Sequence, residues 1–291
     1  MRPMGDVLAG IHATWEFESD AVVIRFERGI RTPKLFQALG ERRVPHEALA
    51  SVTLTPGKRG TVVLHAEPRR GADPLMEAAA GQLHEGSDPY RLVLPAERET
   101  LAEYYRDELR ERLVCGPGDE AASGFLVATQ QGPQSFKAYD GTASFDGSSE
   151  VSFRWFWTGA SSEKWKAGDQ TFSVRDLSGV EWRSPDVFDG YLRLLPRSGK
   201  PRSAQADRDP AAVVFGLGYG SVHKSLPFAA AVLASIRGAG RTAPSPVDAL
   251  PEARDPAGIA ERIRQLGELH RAGLVTDDEF ATKKAELLAE L

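Results

Sequence analysis

A spacing of 128 residues runs through this chain and restricts its fold more than any single motif. Phe17 and Phe145, Leu49 and Leu177, and Val52 and Val180 each stand 128 positions apart, in the same order. The patterns around them repeat as well. Val22, Ile24 and Phe26 alternate with Val23 and Arg25, a period of two that suits a half-buried strand. Val151, Phe153, Trp155 and Trp157 alternate in the same way around Ser152 and Arg154, which predicts Trp155 and Trp157 on one strand face. Phe17-Glu18-Ser19 precedes the first run and Phe145-Asp146-Gly147 the second. Val44 to Leu54 matches Phe172 to Trp182. Further strands pair Val62-Val63-Leu64 with Tyr191 to Leu194, and Arg91 to Leu94 with Ala212 to Phe215. A duplicated unit of antiparallel strands follows from this order.

Each half ends in a helical pattern. Leu101, Tyr105, Leu109 and Leu113 recur every fourth residue between Glu103, Arg106, Asp107, Arg110 and Glu111, one apolar stripe on a charged helix. Leu226, Phe228, Val232, Leu233 and Ile236 lie between His223 and Arg237 with few charges, so this helix is expected to be buried on more than one side. Pro227 fits it only in the first turn. Two stretches punctuate the chain: Gly116 to Gly124, and Gly238 to Pro256 with its glycines and four prolines. The expected organisation is a β-rich unit over 1–115, a second over 125–238, a linker over 239–256 and a terminal segment over 257–291.

That terminal segment carries consistent signals for a helical hairpin. Ile263, Leu266 and Leu269 are at helical spacing, and Gly273 can end the first helix in the left-handed region. Thr276 with Glu279 forms a capping box, and Val275 with Phe280 a hydrophobic staple. Phe280, Leu287, Leu288 and Leu291 line the second helix. A segment of this size rarely buries enough surface alone. Its apolar face, Ile263, Leu266, Leu269, Phe280, Leu287 and Leu288, is therefore expected to meet a second copy or a protein partner.

The run from Ile263 to Leu288 resembles the SHOCT family of short C-terminal domains, with its Leu-x-x-Leu, Gly-x-x-Thr, Glu-Phe and Lys-x-x-Leu-Leu landmarks. The tandem body is similar to the actinobacterial domain-of-unknown-function 4429 family. These resemblances imply an α+β fold: two tandem pleckstrin-homology-like units, each an antiparallel sheet capped by a helix, plus the hairpin. They imply oligomerisation or protein contact and bring no catalytic residues.

Little else in the sequence points to chemistry. The net charge of −5 argues against a dedicated nucleic-acid binder. One cysteine, Cys115, allows neither an internal disulfide nor a multi-thiolate zinc site. His12, His46, His65, His84, His223 and His270 show no helical metal spacing. Gly216, Gly218 and Gly220 lack the dinucleotide fingerprint and read as a turn before the last helix. Basic residues cluster as Arg28 with Arg31 and Lys34, Arg42 with Arg43, Lys58 with Arg59, and Arg69 with Arg70. Of these, Arg42, Arg43, Lys58 and Arg59 are candidates for contact with anionic lipid. Met1 to Gly10 lacks the apolar core of a secretion signal, and no apolar run reaches membrane-spanning length. The expectation is a cytoplasmic, non-enzymatic protein without cofactor or small-molecule substrate. It self-associates or binds a partner through residues 257–291, with a peripheral lipid adaptor as the alternative.

Overall fold

The computed structural model describes residues 6–242, apart from 115, 117, 119, 188, 199–204 and 217. The chain divides into a unit from Met1 to Thr242 and a second from Ala243 to Leu291. The hairpin segment 257–291 and most of the linker lie outside the described residues.

The first repeat runs β1 (Asp6–Ala9), β2 (Ala13–Phe17), β3 (Ala21–Phe26), α1 (Lys34–Leu39), β4 (Glu41–Pro45), β5 (Leu49–Pro56), β6 (Thr61–Pro68), α2 (Pro74–Ala79), β7 (Arg91–Pro95) and α3 (Glu99–Val114). The second runs β8 (Gln134–Lys137), β9 (Gly141–Phe145), β10 (Glu150–Trp155), α4 (Ser162–Ala167), β11 (Gln170–Ser173), β12 (Leu177–Arg183), β13 (Tyr191–Pro196), β14 (Ala212–Val214) and α5 (Val222–Thr242). Each repeat forms a four-stranded sheet (β1-β2-β3-β4, or β11-β10-β9-β8) and a three-stranded sheet (β5-β6-β7, or β12-β13-β14), all antiparallel. The fold is α+β, built as a tandem repeat.

The repeat holds in register as well as in order. Phe17 opposes Val22, and Phe145 opposes Val151. An irregularity falls between Leu49 and Ser51, and again between Leu177 and Gly179. One backbone stitch joins the two sheets at the same corner of each repeat: Ile11 N–H to Val93 O at 2.7 Å, and Tyr139 N–H to Val214 O at 2.9 Å. Even a side-chain pair recurs, His65 with Asp88 at 3.4 Å and Arg193 with Asp209 at 3.1 Å.

A helix closes each sheet pair. In α3 the buried residues are Ala102, Tyr105 and Leu109, and the Phe17 ring stacks on Tyr105 with centroids 4.2 Å apart. Leu101, expected on the apolar stripe, is exposed. Residues four apart advance by about 40° more than one helical turn, so a strict fourfold stripe winds off the sheet at its ends. Helix α5 buries Leu226, Phe228 to Val232, and Ile236. Leu35 of α1 and Leu75, Ala78 and Ala79 of α2 complete the core around it. It is therefore covered by its own sheets on one side and by the first repeat on the other.

Two expectations about α5 are corrected. It continues through Thr242, so Gly238 and Gly240 are helical although the linker was expected from 239. Two lone glycines cost a helix only about 1 kcal/mol each, which a well-packed helix absorbs. Pro227 lies beyond the first turn, because the helix starts at Val222. Its missing N–H leaves the His223 carbonyl without the regular partner. The ring faces the first repeat beside Leu39 and Leu75, around a cavity of about 150 Å³.

Side chains also join the repeats. Gln82 donates to Trp182 O and accepts from Ser184 N–H, both at 2.9 Å. Arg237 pairs with Glu77 and lies 4.1 Å from the Phe125 ring centroid.

Within the second repeat, Asp146 closes the β9–β10 turn. Its Oδ1 accepts from the N–H groups of Ser148, Ser149 and Glu150 at 2.8 to 3.0 Å. The Ser149 hydroxyl, followed by these amides, holds its carboxyl well below the usual carboxylate range. A depressed folded-state pKa adds stability that is complete above the unfolded value and lost as pH falls through the folded one. The melting-temperature gap between wild type and Asp146→Asn is expected to be constant near neutrality and to close below about pH 4. A gap independent of pH would contradict this role.

Candidate interaction surfaces

Strand pairing sends alternate residues of β4 to opposite faces, and this separates two arginines that look equivalent in sequence. Arg42 points inward and is 7% exposed. Its Nη2 donates to Asp73 Oδ1 at 2.7 Å, and its guanidinium lies 5.6 Å from the Tyr90 ring centroid. Asp73 Oδ1 also accepts from Leu75 N–H, capping α2, and Tyr90 OH donates to Asp73 Oδ2 at 2.9 Å. Burial, and then the Asp73 charge, push the Tyr90 phenol well above its ordinary pKa. Arg42 is therefore part of the interior and unavailable to a lipid surface, contrary to the expectation from sequence. Arg43 points outward, where Glu18 at 3.0 Å and Asp20 at 2.7 Å neutralise it. Lys58 and Arg59 stand exposed in the turn between β5 and β6. Among the described residues, two of the four candidate cations, both at one hairpin tip, have no ion-pair partner.

The second repeat buries a different pair. Lys164 of α4 and Asp140 of the β8–β9 turn are 0% and 1% exposed and form an ion pair. Asp140 Oδ1 accepts from Val214 N–H at 3.0 Å, and the Lys164 ammonium lies 5.0 Å from the Trp155 ring centroid. Burial raises the Asp140 pKa and lowers that of Lys164. The pair ties α4, the β8–β9 turn and β14 together.

Trp155 and Trp157 do not share a strand face. Trp155 is buried and donates from Nε1 to Gly168 O at 2.7 Å. The strand ends there, because Phe156 N–H turns to Asp140 O at 2.9 Å. The chain then passes Gly159, where a Cβ would stand only 2.3 Å from Tyr139 O. Trp157 is left 79% exposed, edge-on to the half-exposed Trp165 with centroids 5.2 Å apart. On the other side of this loop, Tyr139 and Tyr219 form a second exposed edge-on pair.

Tyr219 borders a cavity of about 400 Å³, lined also by Ser135, Lys137, Thr142, Ser221 and Lys224. Gly216, Gly218 and Gly220 precede α5, where a turn was expected. Gly220 has φ +66°, and a Cβ there would meet the Phe215 ring at 2.1 Å. Sequence reasoning placed Trp157 on the face of Trp155, and did not single out Ile30, Trp165, Tyr139 or Tyr219 as exposed. Ile30 had a visible signal, an aliphatic residue inside the Arg28–Arg31–Lys34 cluster.

Among the described residues no cluster of three His, Cys, Asp or Glu could hold a metal. No described helix is long and apolar enough to cross a membrane. Cys115, His270 and the six candidate contact residues of the tail (Ile263, Leu266, Leu269, Phe280, Leu287 and Leu288) lie outside the described residues.

Comparison with known families matches the DUF4429 domain of unknown function at residues 15–110 and 143–233, together more than half of the chain. The SHOCT short C-terminal domain matches residues 261–288. No curated protein matches the chain.

Proposed function

We propose that this chain, which belongs to the DUF4429 family, is a non-enzymatic scaffold that self-associates or binds a protein partner through its C-terminal SHOCT segment. We read each repeat as a pleckstrin-homology-like unit. Seven strands in a four- and a three-stranded sheet, followed by a closing helix, support that reading. The observation that carries the function is the SHOCT match at 261–288. It falls on a segment whose apolar face, Leu266, Leu269, Phe280, Leu287 and Leu288, is too small to be buried internally. The body supports a presenting rather than a catalytic role. Two of its buried charge networks are engaged in holding α2 and α4 in place. This reading places the chain in the cytoplasm.

Light scattering on the full-length protein tests it. Wild type is expected to gain mass with concentration. Leu287→Asp is expected to remain monomeric, and Phe280→Ala to shift the transition to higher concentration, with the body's melting temperature unchanged. Equal masses for wild type and Leu287→Asp, together with no partner lost in a paired pull-down, would reject it.

A further inference from the structure

Ser135 and Lys137 on β8 stand 128 positions after Val7 and Ala9 on β1. The register agrees, since Lys137 opposes Thr142 as Ala9 opposes Thr14. Both strands form the edge of their four-stranded sheet. Ala138 N–H bonds Gly141 O, and Gly10 N–H bonds Ala13 O, so the backbone groups of Lys137 and Ala9 turn away from the sheet. In the first repeat the Arg98 side chain occupies this edge, donating from Nη1 to Ala9 O at 2.6 Å. In the second repeat a glycine backbone meets the equivalent carbonyl: Gly220 N–H donates to Lys137 O at 2.9 Å. The cavity of about 400 Å³ lies at this corner of the second repeat. Ser135, Lys137 and Thr142 line it from β8 and β9, and Tyr219, Ser221 and Lys224 from α5 and the residues before it.

The lining is chemically one-sided. Its described residues bring two ammonium groups and four hydroxyls, with no carboxylate and no guanidinium. Neither ammonium has an ion-pair partner among the described residues. Two like charges on one void, without a counter-charge, favour an anion between them. The walls are braced as well. The Ser225 hydroxyl donates to Gly220 O at 2.8 Å, and the Phe215 ring packs on Gly220 so closely that no Cβ would fit. A site already held in shape loses little freedom when it is filled.

We propose that this cavity binds the phosphate group of a small soluble phosphomonoester. Such a group carries nearly two negative charges at neutral pH and three strong acceptor oxygens, which two ammonium groups and the hydroxyls can meet. A carboxylate carries one charge and is matched best by the planar fork of arginine, which the described lining lacks. The net charge of −5 disfavours a long polyanion spread over the surface. It matters less to one phosphate held between two lysines, because charges farther than about 10 Å are largely screened at 0.1 M salt. The volume is that of a small-molecule site, so part of the carrier enters beside the half-exposed Tyr219 ring. The proposal goes beyond the scaffold reading and uses none of its residues.

Amide chemical shifts of the isotope-labelled full chain, titrated with inorganic phosphate, phosphoserine and acetate, test it. Phosphate and phosphoserine are expected to shift Lys137, Thr142, Gly218 and Ser221 saturably, and less so at high salt. Acetate is expected to bind about tenfold more weakly or worse. Lys137→Met with Lys224→Met should weaken phosphoserine binding about tenfold or more. The melting temperature should not change, since both side chains are exposed. Lys166→Met removes an exposed lysine outside the cavity and should leave binding as it was. No saturable shift with phosphate or phosphoserine at millimolar concentration overturns the proposal. So does acetate bound as tightly as phosphoserine, or equal weakening by Lys166→Met and the double variant. Pelleting with vesicles of phosphatidic acid, without binding of soluble phosphoserine, overturns it too. Leu287→Asp separates the two readings: it should abolish assembly while phosphoserine binding persists.

Discussion

Lys164→Met is expected to destabilise the protein by about 3–5 kcal/mol, the usual loss when one member of a buried ion pair is removed. The Asp140 carboxylate would keep the Val214 N–H at 3.0 Å and lose its only described counter-charge contact. Asp140 is 1% exposed, so water cannot replace the ammonium. The escape open to a carboxyl group is protonation, and burial already raises its pKa. A carboxyl whose folded pKa lies above its unfolded value binds more protons when folded, so stability rises as pH falls toward the unfolded value. The Lys164→Met penalty should therefore be larger at pH 8 than at pH 5, about one pH unit above the ordinary carboxylate range. The double variant Lys164→Met with Asp140→Asn removes both charges and is expected to recover much of the loss. Urea denaturation of wild type, Lys164→Met and the double variant at both pH values gives the answer. A double variant no more stable than Lys164→Met alone would show that packing, and not charge, governs the site.

This pair also shows what the sequence could and could not reveal. Duplication was legible because it rests on apolar side chains at fixed spacing. Phe17, Leu49 and Val52 sit in the first core as Phe145 and Leu177 do in the second, with Val180 packed at its margin. The closing helices were legible for the same reason. The interior charges were not. Asp140 and Lys164 are 24 residues apart, and Arg42 and Asp73 are 31 apart. Their pairing depends on short helices, α2 and α4, of six residues each. One turn and a half gives too little periodicity to register in a pattern search. The Trp157 error has a local origin. Alternation continued one step past the strand, and nothing in the sequence announced that Phe156 N–H would bond Asp140 O and turn the chain outward. The arginine error is of the opposite kind. Arg42 and Arg43 are neighbours in one basic pair, yet a strand places neighbours on opposite faces.

Asp73→Ala is expected to be at least as damaging as Lys164→Met, about 3–5 kcal/mol from the stranded charge alone, and to respond differently to pH. Asp73 accepts from Arg42 Nη2, Leu75 N–H and Tyr90 OH, so one truncation strips a cation, a helix cap and a phenol of their acceptor. Arg42 Nη1 already has no hydrogen-bond partner among the described residues, so the guanidinium has nothing in reserve. A guanidinium cannot shed its proton in a protein, so the penalty should stay flat from pH 5 to pH 8 where that of Lys164→Met does not. Asp73→Asn keeps an acceptor for the cap and should lie between wild type and Asp73→Ala. The consequence extends past the first repeat. Helix α2, capped by Asp73, carries Leu75 and Ala78 into the core around α5, and Gln82 just beyond it bonds β12 of the second repeat. Amide hydrogen exchange in Asp73→Ala should accelerate in α2 and also in α5 and at Ser184. Exchange confined to the first repeat would mean that the two repeats hold each other through α5 alone. The same geometry decides how contact of the basic loops with lipid must be probed: Arg42→Glu would invert a buried charge facing Asp73 and report unfolding, whereas Lys58 and Arg59 can be changed with the interior intact.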